Sequence, residues 1–573
     1  MLLAASPAAA HPGAGDGVPA PLEALRAMAA QQAAEPPLEA VPRADCGPGS
    51  RPEPGIQGRV PREEVDSGRA NEGYRCNVSV LGRSGSTGGF RVHRYIDQSG
   101  RECAYYDTTL LFPTNATSLS AEPTGVAVLD MSDPRNPVRT ETLVTPAMQT
   151  PHESLNISVR RGILAAVLGN PTQYPGGIDL YDLSGDCRHP VPLAAAFPAA
   201  PFGHESGMAP DGLTFYPTSL GTGHTTAVDI SNPRLPRTLW TGEYNTHGMT
   251  VSEDGRRGYL AAREGLIILD LSEIQDRRPD PQEREISRLR WSNITIPQVP
   301  IPVTIDGRPY VVEVDEYATG PNGQVTGNGE RVGAARIIDI SDETRPFVVS
   351  NIRLEVHQPE NRDQLADDYG ARSPVQGYAA HYCNVPRQDD PGIVACSMIT
   401  SGLRVFDIRD PENPREIAYF VAPPSSVSAT GSTFIDERAN FAMSQPAFAP
   451  ERGEIWYSDG TSGFYALKVD EDVWPFPAGE SGPRPRLRLT VRPRRVAVGQ
   501  RVHLRFAVRS GGEPVRRARV RIRGRTVRTN RRGRARLAIR FGRAGPYTAR
   551  ATRRGYRPDS ARVLVSPVPR FTG

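Results

Sequence analysis

The sequence predicts an all-β chain, a seven-bladed β-propeller followed by a small β-sandwich, and three observations carry that expectation. A four-strand pattern repeats along residues 71–472, which marks a repeat architecture. The 573 residues include 55 Gly and 55 Pro, so turns are abundant and long helices are disfavoured. From residue 487 onward the repeat gives way to apolar residues alternating with arginine, the period of a half-buried strand.

The repeat is clearest in NTHGMTVSEDGRRGYLAAREGLIILDLS, Asn245 to Ser272. A first strand enters through His247 and continues as GMTV. A tight turn at Asp254-Gly255 follows, where glycine takes the positive φ that such turns need. The second strand is Gly258 to Ala262. Gly265 then turns the chain into LIILDLS, whose β-branched and aliphatic residues suit a buried third strand.

The third strand recurs as GVAVLDMSDPRNP from Gly125, GIDLYDLSG from Gly177, TTAVDISNPRLP from Thr225, GLIILDLS from Gly265, AARIIDISDETRP from Ala334 and GLRVFDIRDPENP from Gly402. A degenerate seventh copy is SGFYALKVD from Ser462. Fourth strands such as RTLWTGEY (Arg237) and REIAYFVA (Arg415) follow the proline turns. Seven third strands imply seven blades, and radial closure leaves few exposed edges. The last blade lacks a fourth strand, and CNVSVLG (Cys76 to Gly82) is placed to supply it. Two polar insertions, beginning at Glu316 and Val356, read as surface loops. Within VVEVDEY, Glu313 and Asp315 alternate out of a strand, which reads as a solvated face or a cation contact.

The strand that ends Asp-Ile-Ser-Asp/Asn-Pro-x-x-Pro resembles the LVIVD-repeat family of bacterial β-propellers. The HGMTVSEDGRRGYLA unit is also similar to the YVTN-type repeat. The resemblance spans roughly 400 residues. It implies the fold and little about activity, because one propeller hosts many functions.

The remaining segments bound the propeller. Residues 1–10 close on Ala8, Ala9 and Ala10 like the end of a signal peptide, so the assigned start is expected to lie inside a longer one. Residues 11–70 read as a disordered leader, with a helical stretch at Glu23 to Glu35. Residues 473–486 form a Pro-rich linker. Six cysteines without CxxC or zinc spacing fit an exported, disulfide-bonded protein, secreted or at the cell surface. Cys383 and Cys396 straddle the turn at Asp389-Asp390-Pro391-Gly392 and are expected to face each other and bridge. Cys46, Cys76, Cys103 and Cys187 allow three pairings. No apolar run is long enough for a transmembrane helix.

Residues 487–567 read as an Arg-rich sandwich in which Ala518, Val520 and Ile522 face one way and Arg519, Arg521 and Arg523 the other. The order GEPV, TNRRGRARL, GPYTARA, GY resembles bacterial Ig-like and carboxypeptidase-regulatory-like domains, which usually serve as stalks or adhesion modules. From Arg484 to the end, 28 Arg face two acids, Glu513 and Asp559, a net of +26. With +4 overall, the rest carries −22. Such a domain is expected to meet an anionic cell-envelope polymer or lipid surface. Nucleic acid is not expected, because no aromatic stacking platform is interleaved with the arginines.

The candidate site follows from the repeat. First strands line a propeller's channel, and His152, His204, His247 and His381 share the entry position of four of them, with Glu153 and Glu205 following two. The slot in the other blades falls to Val92 or His93, Gln298 or Val299, and Gln445. Converging imidazoles with carboxylates suit copper, zinc or iron. Alternatively, each histidine hydrogen-bonds the neighbouring blade and there is no cofactor. Function therefore divides between a binding or cell-surface interaction protein whose channel holds a metal and a metal-dependent enzyme. The enzyme would be an oxidoreductase of the selenium-binding or methanethiol-oxidase type before a hydrolase. Ser154 and Ser206 lack the glycine-flanked elbow of a nucleophile.

Overall fold

Each third strand ends in aspartate for a local reason. The carboxylates of Asp130, Asp182, Asp229, Asp270 and Asp339 each accept the backbone N–H two residues on, at 2.7 to 2.9 Å. Asp407 does the same at 3.0 Å. This side-chain turn ends the strand and aims the chain toward the fourth strand. Glycine opens the third strand because a fourth-strand carbonyl lies against it. At Gly265, with φ of 123°, an added Cβ would sit 2.0 Å from the Leu289 carbonyl oxygen.

A computed structural model describes residues 35–109, 123–169, 174–320, 325, 329–372, 377–424, 438–476, 487–510, 513–553, 556 and 558–567. The chain divides into two compact units, Met1–Ala449 with Gly453–Pro475, and Pro450–Arg452 with Phe476–Gly573. Both are built of strands. No helix among the described residues is long and apolar enough to cross a membrane.

Among the described residues of the first unit, seven antiparallel sheets of four or five strands follow one another, with a two-stranded ribbon of Ala318–Thr319 and Arg331–Val332 besides. The first comprises Val92–Ile96, Glu102–Asp107, Val126–Asp130 and Val138–Leu143. The fourth comprises Thr246–Val251, Arg257–Ala262, Gly265–Asp270 and Arg284–Leu289. The last takes its outer strand from far upstream, since Val78–Ser84 pairs with Gly463–Val469. Tyr74–Cys76 adds a fifth strand to the sixth sheet by pairing with Arg415–Val421.

Both faces of each sheet are apolar because each packs on two neighbours. In the first sheet Tyr105 and Val128 pack on Leu164 and Tyr181 of the second. Its other face, Ala104, Tyr106 and Leu129, packs on Trp456 and Phe464 of the last. Similar clusters join the second to the third, the third to the fourth, the fourth to the fifth and the fifth to the sixth. Phe420 of the sixth meets Tyr457 and Tyr465 of the last. The sheets thus pack in a circuit, in the manner of propeller blades.

Three disulfides join Cys46–Cys76, Cys103–Cys187 and Cys383–Cys396. Cys383 and Cys396 are register partners in one hairpin, as the turn between them implied.

Several expectations are corrected or fall elsewhere. Residues 35–70, expected in a disordered leader, are packed. Val41 donates its N–H to the Arg353 carbonyl at 2.9 Å, Gln57 is fully buried against Glu416, and Arg59 pairs with Asp368 at 2.7 Å. Buried polar partners, and not only apolar area, hold this segment down. Residues 1–34 and 477–486, with the signal-peptide remnant, nearly all of the helical stretch and most of the linker, lie outside the described residues. The insertion at Val356 is not a simple surface loop, because Val356, His357, Leu365 and Tyr369 are buried. Glu313 and Asp315 are not solvated. Both are fully buried and paired with Arg336, whose guanidinium stacks 4.1 Å from the Trp291 ring centre.

The described residues of the second unit form nine strands, in two sheets around one core that includes Leu504, Phe506, Val520 and Val563. Arg519 to Ile522 alternates exposed and buried as its period requires. Arg495–Ala497 pairs parallel to Asp559–Ser566, a departure from an all-antiparallel sandwich.

Candidate metal centre

The turn Pro151-His152-Glu153-Ser154 builds the centre. His152 adopts φ of 50°, a left-handed conformation uncommon and strained for a residue with a Cβ. Successive strand residues would point to opposite faces. This turn instead brings both the His152 ring and the Glu153 carboxylate into one cluster. Ser154 is used structurally, its hydroxyl donating to the Pro151 carbonyl at 2.7 Å. The Ser206 hydroxyl likewise donates to the Ser154 carbonyl at 2.7 Å.

Glu153 lies among four imidazoles, that of His247 within the strand Thr246–Val251 and those of His152, His204 and His381 just ahead of the first strands of three other sheets. Its Oε2 lies 2.7 Å from His247 Nε2, 3.2 Å from His204 Nε2 and 3.8 Å from His152 Nε2. Its Oε1 lies 3.0 Å from His381 Nε2 and accepts from the Gln298 amide at 2.7 Å. The rings stand side by side, His152–His204 at 4.6 Å and His204–His247 at 4.7 Å between centres, and Phe90 packs on His152 at 4.6 Å. His152 and His204 are 7% exposed, while His247, His381 and Glu153 are at 2% or less.

Two of the other ring nitrogens face a backbone carbonyl of a neighbouring segment. His381 Nδ1 lies 2.8 Å from the Met443 carbonyl, and His247 Nδ1 lies 3.3 Å from that of Pro297. The backbone contact expected of the alternative reading is thus present at these two positions, and it leaves Nε2 available to a ligand. The backbone contact fixes each ring so that Nε2 faces the carboxylate, as outer-shell partners do for metal-binding histidines.

Burial opposes ionisation of Glu153, yet the imidazoles, His247 foremost, outweigh it and hold the carboxyl well below its usual range. Burial lowers His247 and His381, but the Glu153 and Glu316 carboxylates outweigh it and raise them to about 9 and about 10. Burial pushes His152 down to about 3. Glu205 is pushed up to about 7 by burial, against the opposing pull of Arg91, with which it forms an ion pair.

All six singled-out residues meet here. His152, Glu153 and His204 form one group able to hold a metal ion, and Glu153, Glu205 and His247 another. Glu153, Glu316 and His381 form the third. Glu316 lies outside the repeat slot, at the end of the strand Arg308–Glu316 and the start of the polar insertion, so the repeat carries no signal for it. In the remaining slots Gln298 is in the cluster. Gln445 is not, since its amide donates to the Cys383 carbonyl at 3.3 Å. For the first sheet the slot falls at Phe90 and Arg91 and not at Val92 or His93. His93 faces the next sheet instead, 2.9 Å from the Leu155 carbonyl. Gly248 is required beside the cluster, since an added Cβ would lie 2.3 Å from Glu205 Oε1.

The donors suit a metal. Ligand atoms within each group lie within 4.8 Å of one another, close to the span of two donors each about 2.0–2.2 Å from one ion. Glu205 Oε2, Gln298 Oε1 and His152 Nδ1 are buried without a hydrogen-bond partner. Mixed imidazole and carboxylate donors fit zinc, copper and iron.

No family model matches the chain, and no curated protein does. Among solved structures, the chain is similar to a protein from Bacteroides uniformis described as a candidate 6-phosphogluconolactonase. The identity is 10%, over 64% of this chain and 93% of that one, with a TM-score of 0.43. It is also similar to a protein from Lactobacillus plantarum, at 12% identity over 64% and 99% of the two chains and a TM-score of 0.40. Likeness at this level says nothing of function.

Proposed function

We propose that this chain is an exported binding protein: a seven-bladed propeller of the LVIVD-repeat kind over 71–472, a linker at 473–486 and an Ig-like sandwich over 487–567. The axial cluster holds a divalent transition metal, copper, zinc or iron. The observation that carries this is Glu153, one buried carboxylate met by the four imidazoles of His152, His204, His247 and His381. His152, His204, His247 and His381 would hold the ion, with Glu153 and the acids Glu205 and Glu316. Bound there, the ion would supply Lewis acidity or, if copper or iron, redox chemistry. Three disulfides support an oxidising compartment. Metal analysis of purified full-length protein tests this reading. A stoichiometric ion supports it, and a protein that takes up none refutes it.

A metal-dependent oxidoreductase at the same site is the second reading. It is favoured by the 7% exposure of His152 and His204, which puts one edge of the cluster nearest to solvent. Turnover would have to vanish with the metal.

The second unit is the proposed attachment module, on an anionic cell-envelope polymer or lipid surface. Its strand register supports this. Arg505 stands directly between Arg492 and Arg536 on neighbouring strands, and Arg501 stands opposite Arg540. All five are exposed. Like charges placed opposite destabilise a sheet, so such rows are better explained by an anionic partner than by folding. Retention on isolated envelopes should fall steeply with salt and be lost on truncation after Glu471. Unchanged retention in the truncated protein would remove the attachment role.

A further inference from the structure

We propose that Glu153 bridges two metal ions, so that the axial cluster is a dinuclear centre; this rests on the metal reading above. The donors divide between the two oxygens of one carboxylate. Oε2 faces His152, His204 and His247 at 3.8, 3.2 and 2.7 Å. Oε1 faces His381 at 3.0 Å, and Glu316 Oε2 approaches the same His381 nitrogen at 3.0 Å. Glu153 is the one member common to all three metal-competent groups, and none of them contains more than two of the imidazoles. Two donors on a single ion are at most about 4.4 Å apart. His381 shares no metal-competent group with another imidazole and stands instead with Glu316 on the Oε1 side. A carboxylate with each oxygen on its own ion joins the two sides, and paired ions about 3.5–4 Å apart are a recurrent arrangement.

Buried polar atoms without partners support a site on each side. On the Oε1 side, fully buried Gln298 donates to Glu153 while its own Oε1 has no hydrogen-bond partner. Its Nε2 lies 3.2 Å from His381 Nε2, so an amide turned about would present oxygen there as a further donor. On the Oε2 side, Glu205 Oε2 and His152 Nδ1 are buried without partners. The split of ligands between the two oxygens of the Glu153 carboxylate argues for two ions.

The test counts ions in the full chain, stripped with chelator and dialysed against zinc(II) alone and, separately, copper(II) alone. Two ions per chain are expected with one of these metals. Glu316→Gln should lower the count to one by emptying the Oε1 side. The His152→Ala/His204→Ala variant should lower it to one by emptying the other. One ion in the unaltered chain overturns the bridge and leaves the metal reading standing, while none overturns both. Loss of both ions from either variant would also overturn the two-sided arrangement. If a variant fails to fold, as judged by its near-ultraviolet dichroism, the unaltered chain's count still decides.

Discussion

Two clusters of buried carboxylates in the first unit solve the same electrostatic problem in opposite ways. Glu313 and Asp315 share one cation, Arg336, while burial and the neighbouring Asp315 hold the Glu313 carboxyl well above its usual range, and Asp315 also accepts from the Trp291 indole at 2.8 Å and the Thr295 backbone at 3.1 Å. That cluster is closed, because its cation is a permanent, covalently tethered one. Glu153 is instead surrounded by imidazoles, which can lose a proton and bind a metal. The sequence neighbours of a buried acid thus say little. Its cation separates a structural cluster from one that can accept a ligand.

Breaking the closed cluster should have the largest effect. Arg336→Leu leaves two buried carboxylates without their cation, and a loss of about 3–5 kcal/mol is expected in denaturant unfolding. If this variant were as stable as the parent, the cluster would not be held by charge.

The open cluster should respond differently. Replacing His204 and His381 together by alanine is expected to weaken metal binding by at least about tenfold, the low end for lost metal-site partners. Unchanged metal content in the double variant would place the ion elsewhere.

His357 sharpens the contrast as a buried imidazole whose partners are fixed. Its Nδ1 accepts the Leu354 N–H at 3.0 Å, and its Nε2 lies 2.8 Å from the Tyr378 carbonyl. Burial, with Arg353 adding to it, holds it well below the usual histidine range, so the folded state keeps it neutral where the unfolded chain protonates it. Its stabilising contribution is complete above about pH 6.5 and is lost below that, by up to about 1.4 kcal/mol per pH unit. His357→Asn should flatten that part of the stability profile, and an unchanged acid limb would contradict the assignment.

The smallest effect is expected in the second unit. Arg505→Thr removes the middle charge of the row Arg492, Arg505 and Arg536, and should stabilise the full chain's second unit by about 0.5 kcal/mol at low salt, less at high salt. Destabilisation would mean that the row is already paired with anions of its own.

Much of this was legible because repetition places equivalent residues at equivalent depth. His152, His204, His247 and His381 could be aligned by their distance to a turn glycine or by the strand that follows. Cys383 and Cys396 could be paired because one hairpin turn lies midway between them. Where local spacing carries no signal, legibility fails. Glu316 reaches the cluster from the end of a second strand, and the first sheet's slot is shifted, so Phe90 and Arg91 occupy it. Cys46–Cys76 and Cys103–Cys187 depend on how distant segments pack. Period two in VVEVDEY separates the faces of a strand, but in this fold both faces are covered, so Glu313 and Asp315 are buried.

The central claim is that the Glu153 cluster holds a divalent metal. Metal content per chain, measured by plasma mass spectrometry on full-length protein purified without chelator and again after reconstitution, tests it most directly. We predict at least one copper, zinc or iron per chain, with chelator removing it and lowering the unfolding temperature. No bound metal in either preparation, and an unfolding temperature indifferent to chelator, would contradict the account.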